Sequence, residues 1–470
     1  MRRSHWMGRG GTVIDPLPGE LLADPLEIVN LSKTPGVVEV ELEVTVEPVN
    51  INGSSVNLLT YNGAFPGPTI RIHKGDLLRV NFKNSLPSTD ETNLLGYQKN
   101  ITNLHTHGWH VSPSGNADNI FLHFNPGEDF LFEYDTSKQE AGTLSWYHPH
   151  VHGLVAEQMW EGLSGALVVE DEIDALNDYE THILVLKDIS LSDSKPSPFT
   201  RLDYWTGKEG DIVMVNGQVN PVLPIKPGQS QRWRIVNACT SRYFRLSLED
   251  HNLHLVGTDA NLLDKPYPVS EVLLTPGERI DALIQANGNP GTYRLLSLPY
   301  NRGRNNPETH TLMTISIEGN SVKDNIPSIV NPDAERPDID TSSLQQRILA
   351  LQMRMGRGLI NGRDFEIDPY VITSQIGTYE IWTIINRSMM DHPFHQHTNP
   401  AMILQINGGD SNYASLYTAI PGWKDTINVP RMGGSVVMLV PVNDFTGSTV
   451  FHCHIVEHED IGMMGMWEFA

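Results

Sequence analysis

The sequence predicts an all-β protein made of three successive copies of one sandwich, and three observations carry that prediction. The first is strict alternation. Val38, Val40, Leu42, Val44 and Val46 interleave with Glu39, Glu41, Glu43, Thr45 and Glu47, a period of two that gives a strand one buried and one wet face. Leu78, Val80 and Phe82 alternate with Arg79, Asn81 and Lys83 in the same way. The second is turn punctuation at short spacing, as in Pro66-Gly67-Pro68, Pro126-Gly127, Pro227-Gly228 and Pro276-Gly277. The third is an internal repeat of fixed order.

That repeat has three pieces. A turn, an alternating strand and an asparagine recur as KGDLLRVNFKNS (74–85), PGQSQRWRIVNACTS (227–241) and IGTYEIWTIINRS (376–388), placing Asn84, Asn237 and Asn386 at matching points. A second turn and strand follow each: PGEDFLFEY from Pro126, PGERIDALI from Pro276 and GGSVVMLV from Gly433. A third piece closes each copy: GTLSWYHPH from Gly142, GTYRLLS from Gly291 and GSTVFHCH from Gly447. Three domains follow, over residues 1–171, 172–325 and 326–470, divided near Glu170–Asp174 and in the Pro- and Asp-rich stretch from Asn325 to Thr341. Little helix is expected; Glu140–Ala141 and Val155–Trp160 read as a turn or two.

Length and charge fit this division. A chain of 470 residues is long enough for two or three domains and for a core that needs no disulfide staples. Its two cysteines, Cys239 and Cys453, exclude a disulfide-rich module. With 33 basic against 56 acidic residues, the net charge of −23 repels phosphate backbones and anionic membranes, so neither nucleic acid nor membrane is an expected partner. No apolar run approaches the roughly 20 residues of a membrane helix. Arg2 and Arg3 resemble the start of a twin-arginine export signal, but no apolar stretch follows them.

The histidines are gathered rather than spread. Ten of 19 fall in four clusters within the first and third repeats: His105-x-His107, His148-x-His150, His392-x-x-His395-x-His397 and His452-Cys453-His454-x3-His458. On a strand, residues i and i+2 share a face, so H-x-H offers a metal two imidazoles side by side. In His452-Cys453-His454 the cysteine must then face the other way, and one strand touches two sites. Imidazole and thiolate suit copper and zinc, and two His, one Cys and a weak axial Met describe an electron-transfer copper. Cys453, His458 and Met463 supply three of these in one loop, and His392 is the spare member of its cluster. Met464 and Met466 compete with Met463 for the axial place, and spacing favours Met463. Structural zinc prefers close pairs of cysteines, which are absent, so copper is the expected metal.

HTHG (105–108), WYHPH (146–150), HPFHQH (392–397) and HCHIVEHEDIGM (452–463) resemble the four copper-binding motifs of the three-domain multicopper oxidases, with bacterial laccases and bilirubin-oxidase-like enzymes the group most alike. The resemblance runs through all three repeats and implies cupredoxin-like Greek-key sandwiches. It implies four coppers per chain. His392, Cys453 and His458, with axial Met463, would hold type 1 copper; His105 and His395 type 2; His107, His148, His150, His397, His452 and His454 the type 3 pair. It implies one-electron oxidation of a donor at type 1 copper, coupled to four-electron reduction of O2 to water at the three-copper cluster. Oxygen reduction consumes protons, and Asp118 and Glu459 stand where the family places carboxylates for that task.

Phenols and aromatic amines are the expected donors, with O2 as second substrate. Cuprous-ion oxidases of this family carry a Met-rich insertion, since thioethers hold Cu(I); here the stretch before His392 holds only Met353, Met355, Met389 and Met390. Bilirubin-type activity turns on loops near His392 and His458 and stays open. A coat or binding protein with a degenerate site would have lost a cluster, and a two-domain nitrite reductase lacks the third repeat. His110, His123, His152, His251 and His254 read as structural, and Cys239 as a small buried hydrophobe. A monomer in the periplasm or outside the cell is expected from family habit.

Overall fold

Each repeat is organised around a parallel strand pair. In a computed structural model, whose described residues are 13–170, 175–304 and 308–470, Val37–Ile51 runs beside Leu77–Asn84, Glu180–Ile189 beside Ser230–Asn237, and Gln345–Arg354 beside Thr378–Asn386. The recurring asparagine ends the second strand of each pair, fully buried. Its role repeats as well. The Asn84 amide donates to the carbonyls of Asn100 and Phe124, Asn237 to those of Arg242 and Leu274, and Asn386 to those of Met390 and Val429. Each side-chain oxygen accepts the backbone N–H two residues on, from Leu86, Cys239 and Ser388. A buried turn has backbone groups that no strand can pair, and one asparagine satisfies three of them.

The other strands complete two sheets per sandwich. In the first, Ser54–Tyr61, Val37–Ile51, Leu77–Asn84 and Asp129–Asp135 form one sheet; Gly67–His73, Gly165–Glu170, Leu144–His148 and His105–His107 form the other. Val40, Leu42 and Phe82 meet Ile70, Tyr147 and Leu167 between them. Val38 to Val44 alternate as read, but Val46 is 42% exposed, where the strand runs on as a hairpin with Ser54–Tyr61. The middle sandwich has two six-stranded sheets, and the third has one of six and one of five. Trp382 and Trp467 pack at 4.6 Å in the core of the third.

Among the described residues four short α-helices interrupt the strands: α1 (Val155–Trp160), α2 (Arg201–Thr206), α3 (Ser411–Ala419) and α4 (Val456–Asp460). The first matches the sequence reading; Glu140–Ala141 is not helical, and the other three were not foreseen. Leu154, at the N-cap of α1, has no side-chain oxygen, and Asp460 of α4 fills that role by accepting the N–H groups of Gly153, Val155 and Ala156. This bond set fastens the third sandwich to the first.

Residues 13–23, counted with the first repeat in the sequence, run along the second sandwich. Val13–Ile14 pairs in parallel with Thr309–His310, and the Leu22 amide bonds the Val222 carbonyl. The boundary residues 171–174 and the Arg2-Arg3 pair lie outside the described residues. Among the described residues no helix is long and apolar enough to cross a membrane.

Candidate metal centre

Strand geometry delivers the histidines in pairs. His105–His107 lies antiparallel to Leu144–His148, with His105 opposite His148. In the third sandwich His392–Gln396 lies beside Gly447–Cys453, with His395 opposite His452 and Phe394 opposite Cys453. A spacing of two keeps His395 and His397 on one face, and a spacing of three throws His392 onto the other. The same alternation separates Cys453 from His452 and His454.

Eight imidazoles meet between the first and third sandwiches: His105, His107, His148 and His150 from one, His395, His397, His452 and His454 from the other. Across the junction His107 stacks on His395 with centroids 3.8 Å apart, and His105 on His397 at 4.0 Å. His150 Nε2 and His397 Nε2 each lie 3.2 Å from His452 Nε2. On the far face of the same strand, His392 Nδ1 is 3.2 Å from both Cys453 Sγ and His458 Nδ1, and His458 Nδ1 is 3.7 Å from the sulfur. Met463 is buried in the loop after α4; its carbonyl accepts the Cys453 N–H at 3.1 Å and its N–H donates to the His458 carbonyl at 2.9 Å. The ten histidines and Cys453 are at most 2% exposed.

The donor set fits copper. His105 Nε2, His107 Nδ1, His148 Nε2, His395 Nε2 and both nitrogens of His454 are buried without a hydrogen-bond partner. Each such atom costs about 1–3 kcal/mol when nothing answers it, and a cation that accepts nitrogen lone pairs answers it. Burial also holds the imidazoles neutral, the state in which they can ligate: His150 and His458 are pulled down to about 3, His452 to about 4, and the rest below the ordinary range. The Cys453 thiol is pushed well up by burial, so forming its thiolate must be coupled to cation binding.

Carboxylates orient rings of the cluster. Asp118 Oδ1 and Oδ2 lie 3.1 and 3.0 Å from His105 Nδ1, and Oδ1 also takes the Thr106 N–H at 2.8 Å. Burial pushes the Asp118 carboxyl up to about 6. Glu459 is fully buried, 3.4 Å from His150 Nδ1 and 3.1 Å from His452 Nδ1, in neither case along a hydrogen-bond direction. Burial raises its carboxyl as well.

Two further residues escaped the sequence reading. Asp425 Oδ1 is 3.1 Å from His107 Nε2, and its backbone carbonyl is 3.0 Å from His395 Nδ1, so one residue steers rings from both sandwiches. Arg279, from the middle sandwich, donates to Asp425 Oδ1 at 2.7 Å and to Oδ2 at 2.6 Å. It packs against Gly108, where φ is +91° and any Cβ would collide with the guanidinium. The adjacent opposite charges of Lys424 and Asp425, at a bend between the short strands Trp423–Lys424 and Thr426–Val429, were the available signal. Lys424 Nζ is buried 3.0 Å from both Asp259 and Glu278 of the middle sandwich.

The remaining described histidines stay outside both clusters. His110 bridges the Thr398 carbonyl and Asp444, His152 packs edge-on to Tyr97, and His251 bonds the Glu249 carbonyl and the Asn287 N–H. Cys239 is a free, buried thiol.

Three multicopper oxidase profiles match this chain, over residues 43–174, 145–320 and 335–469. The chain belongs to the multicopper oxidase family. Membership makes it a copper oxidoreductase with O2 as electron acceptor. Among related multicopper oxidases, one from Staphylococcus aureus is 29% identical over 88% of this chain and 84% of its own. A laccase from Bacillus subtilis is 28% identical over 96% and 97%. The solved multicopper oxidase of Campylobacter jejuni, described as a metallo-oxidase, superposes with a TM-score of 0.82 at 28% identity, covering 98% of both chains.

Proposed function

We propose that this multicopper oxidase acts as a laccase, oxidising phenols and aromatic amines one electron at a time while reducing O2 to water. In balance, four phenols each lose an electron and a proton, and one O2 takes up all of them to give two waters. The observation that carries the reading is the place of Cys453: its sulfur faces His392 and His458, while its chain neighbours His452 and His454 face the eight-histidine cluster. Donor oxidation and oxygen reduction are thereby joined through one residue's backbone.

In this reading His392, Cys453, His458 and Met463 would hold type 1 copper. His105 and His395 would hold type 2, and His107, His148, His150, His397, His452 and His454 would hold the type 3 pair, four coppers in all. Copper bound there would supply the one-electron redox chemistry that links donor to O2. The protein's part is orientation and protons. Asp118 fixes the His105 ring, Asp425 fixes His107 and His395, and Arg279 fixes Asp425. Glu459, between His150 and His452, is placed to hand protons to oxygen as it is reduced. The cluster is shared by domains 1–171 and 326–470, and domain 172–325 braces it through Arg279.

Cuprous-ion oxidation is the second reading, favoured by the description of the Campylobacter neighbour as a metallo-oxidase. Against it, the sequence before His392 carries no dense run of methionines, although the exposed Met389 and Met432 lie on neighbouring turns, the Met432 N–H bonding the Ser388 carbonyl. Family habit places the protein in the periplasm or outside the cell. Oxygen uptake by copper-loaded protein with a phenol, and separately with Cu(I), decides between the readings: uptake with Cu(I) alone removes the laccase assignment.

A further inference from the structure

Both outer nitrogens of the Cys453 site are covered. His458 is fully buried, and its Nε2 lies 3.2 Å from the backbone carbonyl of Trp205 in α2. The helix is fastened there: the Lys208 N–H donates to Glu457 Oε1 at 2.8 Å, and Arg302 donates to the Thr206 carbonyl at 2.9 Å. A substrate ring therefore has no access to His458. His392 gives its own Nε2 to the Ser388 hydroxyl at 2.6 Å.

Open space lies beside His392 instead. A cavity of about 440 Å³ is lined by Arg245, Tyr300, Asn301, Asp391, Pro430 and Arg431. Asp391 directly precedes His392, and Pro430 follows Val429, the strand partner of His392. The Met432 N–H, also at the cavity, donates to the carbonyl of Ser388, whose hydroxyl meets His392. The cavity thus reaches the type 1 ligand through one intervening residue along two routes. Its volume suits a substituted aromatic ring.

The charges around it are not all answered. Arg245 is paired with Asp410. The Asp391 carboxylate accepts the Tyr300 hydroxyl at 2.6 Å and the Arg431 N–H at 2.8 Å. The Arg431 guanidinium bonds neutral oxygens, the backbone carbonyl and side chain of Asn301. Among the described residues no carboxylate stands within ion-pairing distance of it, so its charge is available to a ligand anion.

We propose that the reducing substrate docks in this cavity, and that Arg431 selects phenols or aromatic amines bearing a carboxylate or similar anionic group. This rests on the oxidase reading above and adds the substrate class. The bound phenol gives one electron to the Cys453 site and its hydroxyl proton to water at the cavity mouth, and leaves as a phenoxyl radical.

The test uses copper-loaded full-length protein, a hydroxycinnamate and its uncharged methyl ester. Arg431→Gln raises KM for the acid about fivefold or more, the weight of one charge-assisted contact at a partly wet site, and moves KM for the ester less than about twofold. Arg431→Glu reverses the preference, towards a phenol carrying an ammonium group. Asn301→Trp, which fills the cavity from an exposed position, raises KM for acid and ester alike. In each variant the visible band of thiolate-bound copper stays as in wild type, which shows that the site is intact. An Arg431→Gln effect equal for acid and ester overturns the anion selection, and unchanged KM values in Asn301→Trp overturn the docking site. Wild-type protein that takes up copper yet consumes no oxygen with either donor overturns the oxidase reading itself, and is seen without any variant.

Discussion

Arg279 and Asp425 face each other as a buried fork, Nη1 to Oδ1 at 2.7 Å and Nη2 to Oδ2 at 2.6 Å, across the junction of the second and third sandwiches. Asp425 in turn holds His107 of the first sandwich. A domain with no histidine in either cluster thereby fixes the geometry of the cluster, and the chain needs its middle repeat for more than spacing.

Removing one side of this fork is expected to be costly. Asp425→Asn leaves Arg279 with Asp259, 3.7 Å from Nη1, as its remaining carboxylate. A loss of about 3 kcal/mol in stability follows, as for other buried pairs deprived of one member. His107 also loses its anchor, so copper content should fall at the eight-histidine cluster while the visible band of the Cys453 site persists. Thermal unfolding, copper counting and absorption check the three parts.

The Asp118 carboxylate holds His105 Nδ1. Replacing it with Asn keeps the shape and removes the charge that orients the ring. Oxygen uptake is expected to fall about 10–100-fold, the usual effect of losing a partner behind a metal ligand. The visible band should not change. Uptake equal to wild type would leave Asp118 without a role in oxygen chemistry.

The recurring asparagine is open to test away from copper. Asn237→Ala leaves the carbonyls of Arg242 and Leu274 and the Cys239 N–H without their buried partner. A destabilisation of about 2–4 kcal/mol is expected from denaturant unfolding, with the copper spectrum unchanged at low temperature.

Lys187 gives a pH dependence. Burial pulls its amine from 10.5 down to about 8, and it donates to the Met159 carbonyl. Between these values the unfolded chain binds more protons than the folded one, so wild-type stability rises with pH across that window. Lys187→Met lacks this term and leaves the Met159 carbonyl bonded to the Gly162 N–H. The variant should be the more stable at pH 7, and its advantage should shrink by about 2–3 kcal/mol by pH 10.5. Paired denaturant titrations at the two pH values measure it.

Much of this site could be read from sequence because alternation along a strand fixes which side chains share a face. Spacings of two and three suffice to separate His392 from His395 and Cys453 from its neighbours. The repeat of Asn84, Asn237 and Asn386 was visible too, although its cause, three unpaired backbone groups in a buried turn, needed the fold. What stayed hidden depends on contacts between distant segments. Arg279 and Asp425 are 146 residues apart, and no local pattern links them. The cover of α2 over His458 and the attachment of residues 13–23 to the second sandwich are likewise set by packing between repeats.

In the proposed function Cys453 couples donor oxidation to complete reduction of oxygen. The most direct test is the ratio of donor oxidised to oxygen consumed by copper-loaded protein, with peroxide assayed in the same vessel. The expected result is the four-electron ratio, water as the product, no peroxide, and loss of all turnover in Cys453→Ser. A two-electron ratio with accumulating peroxide, or turnover that survives Cys453→Ser, would contradict it.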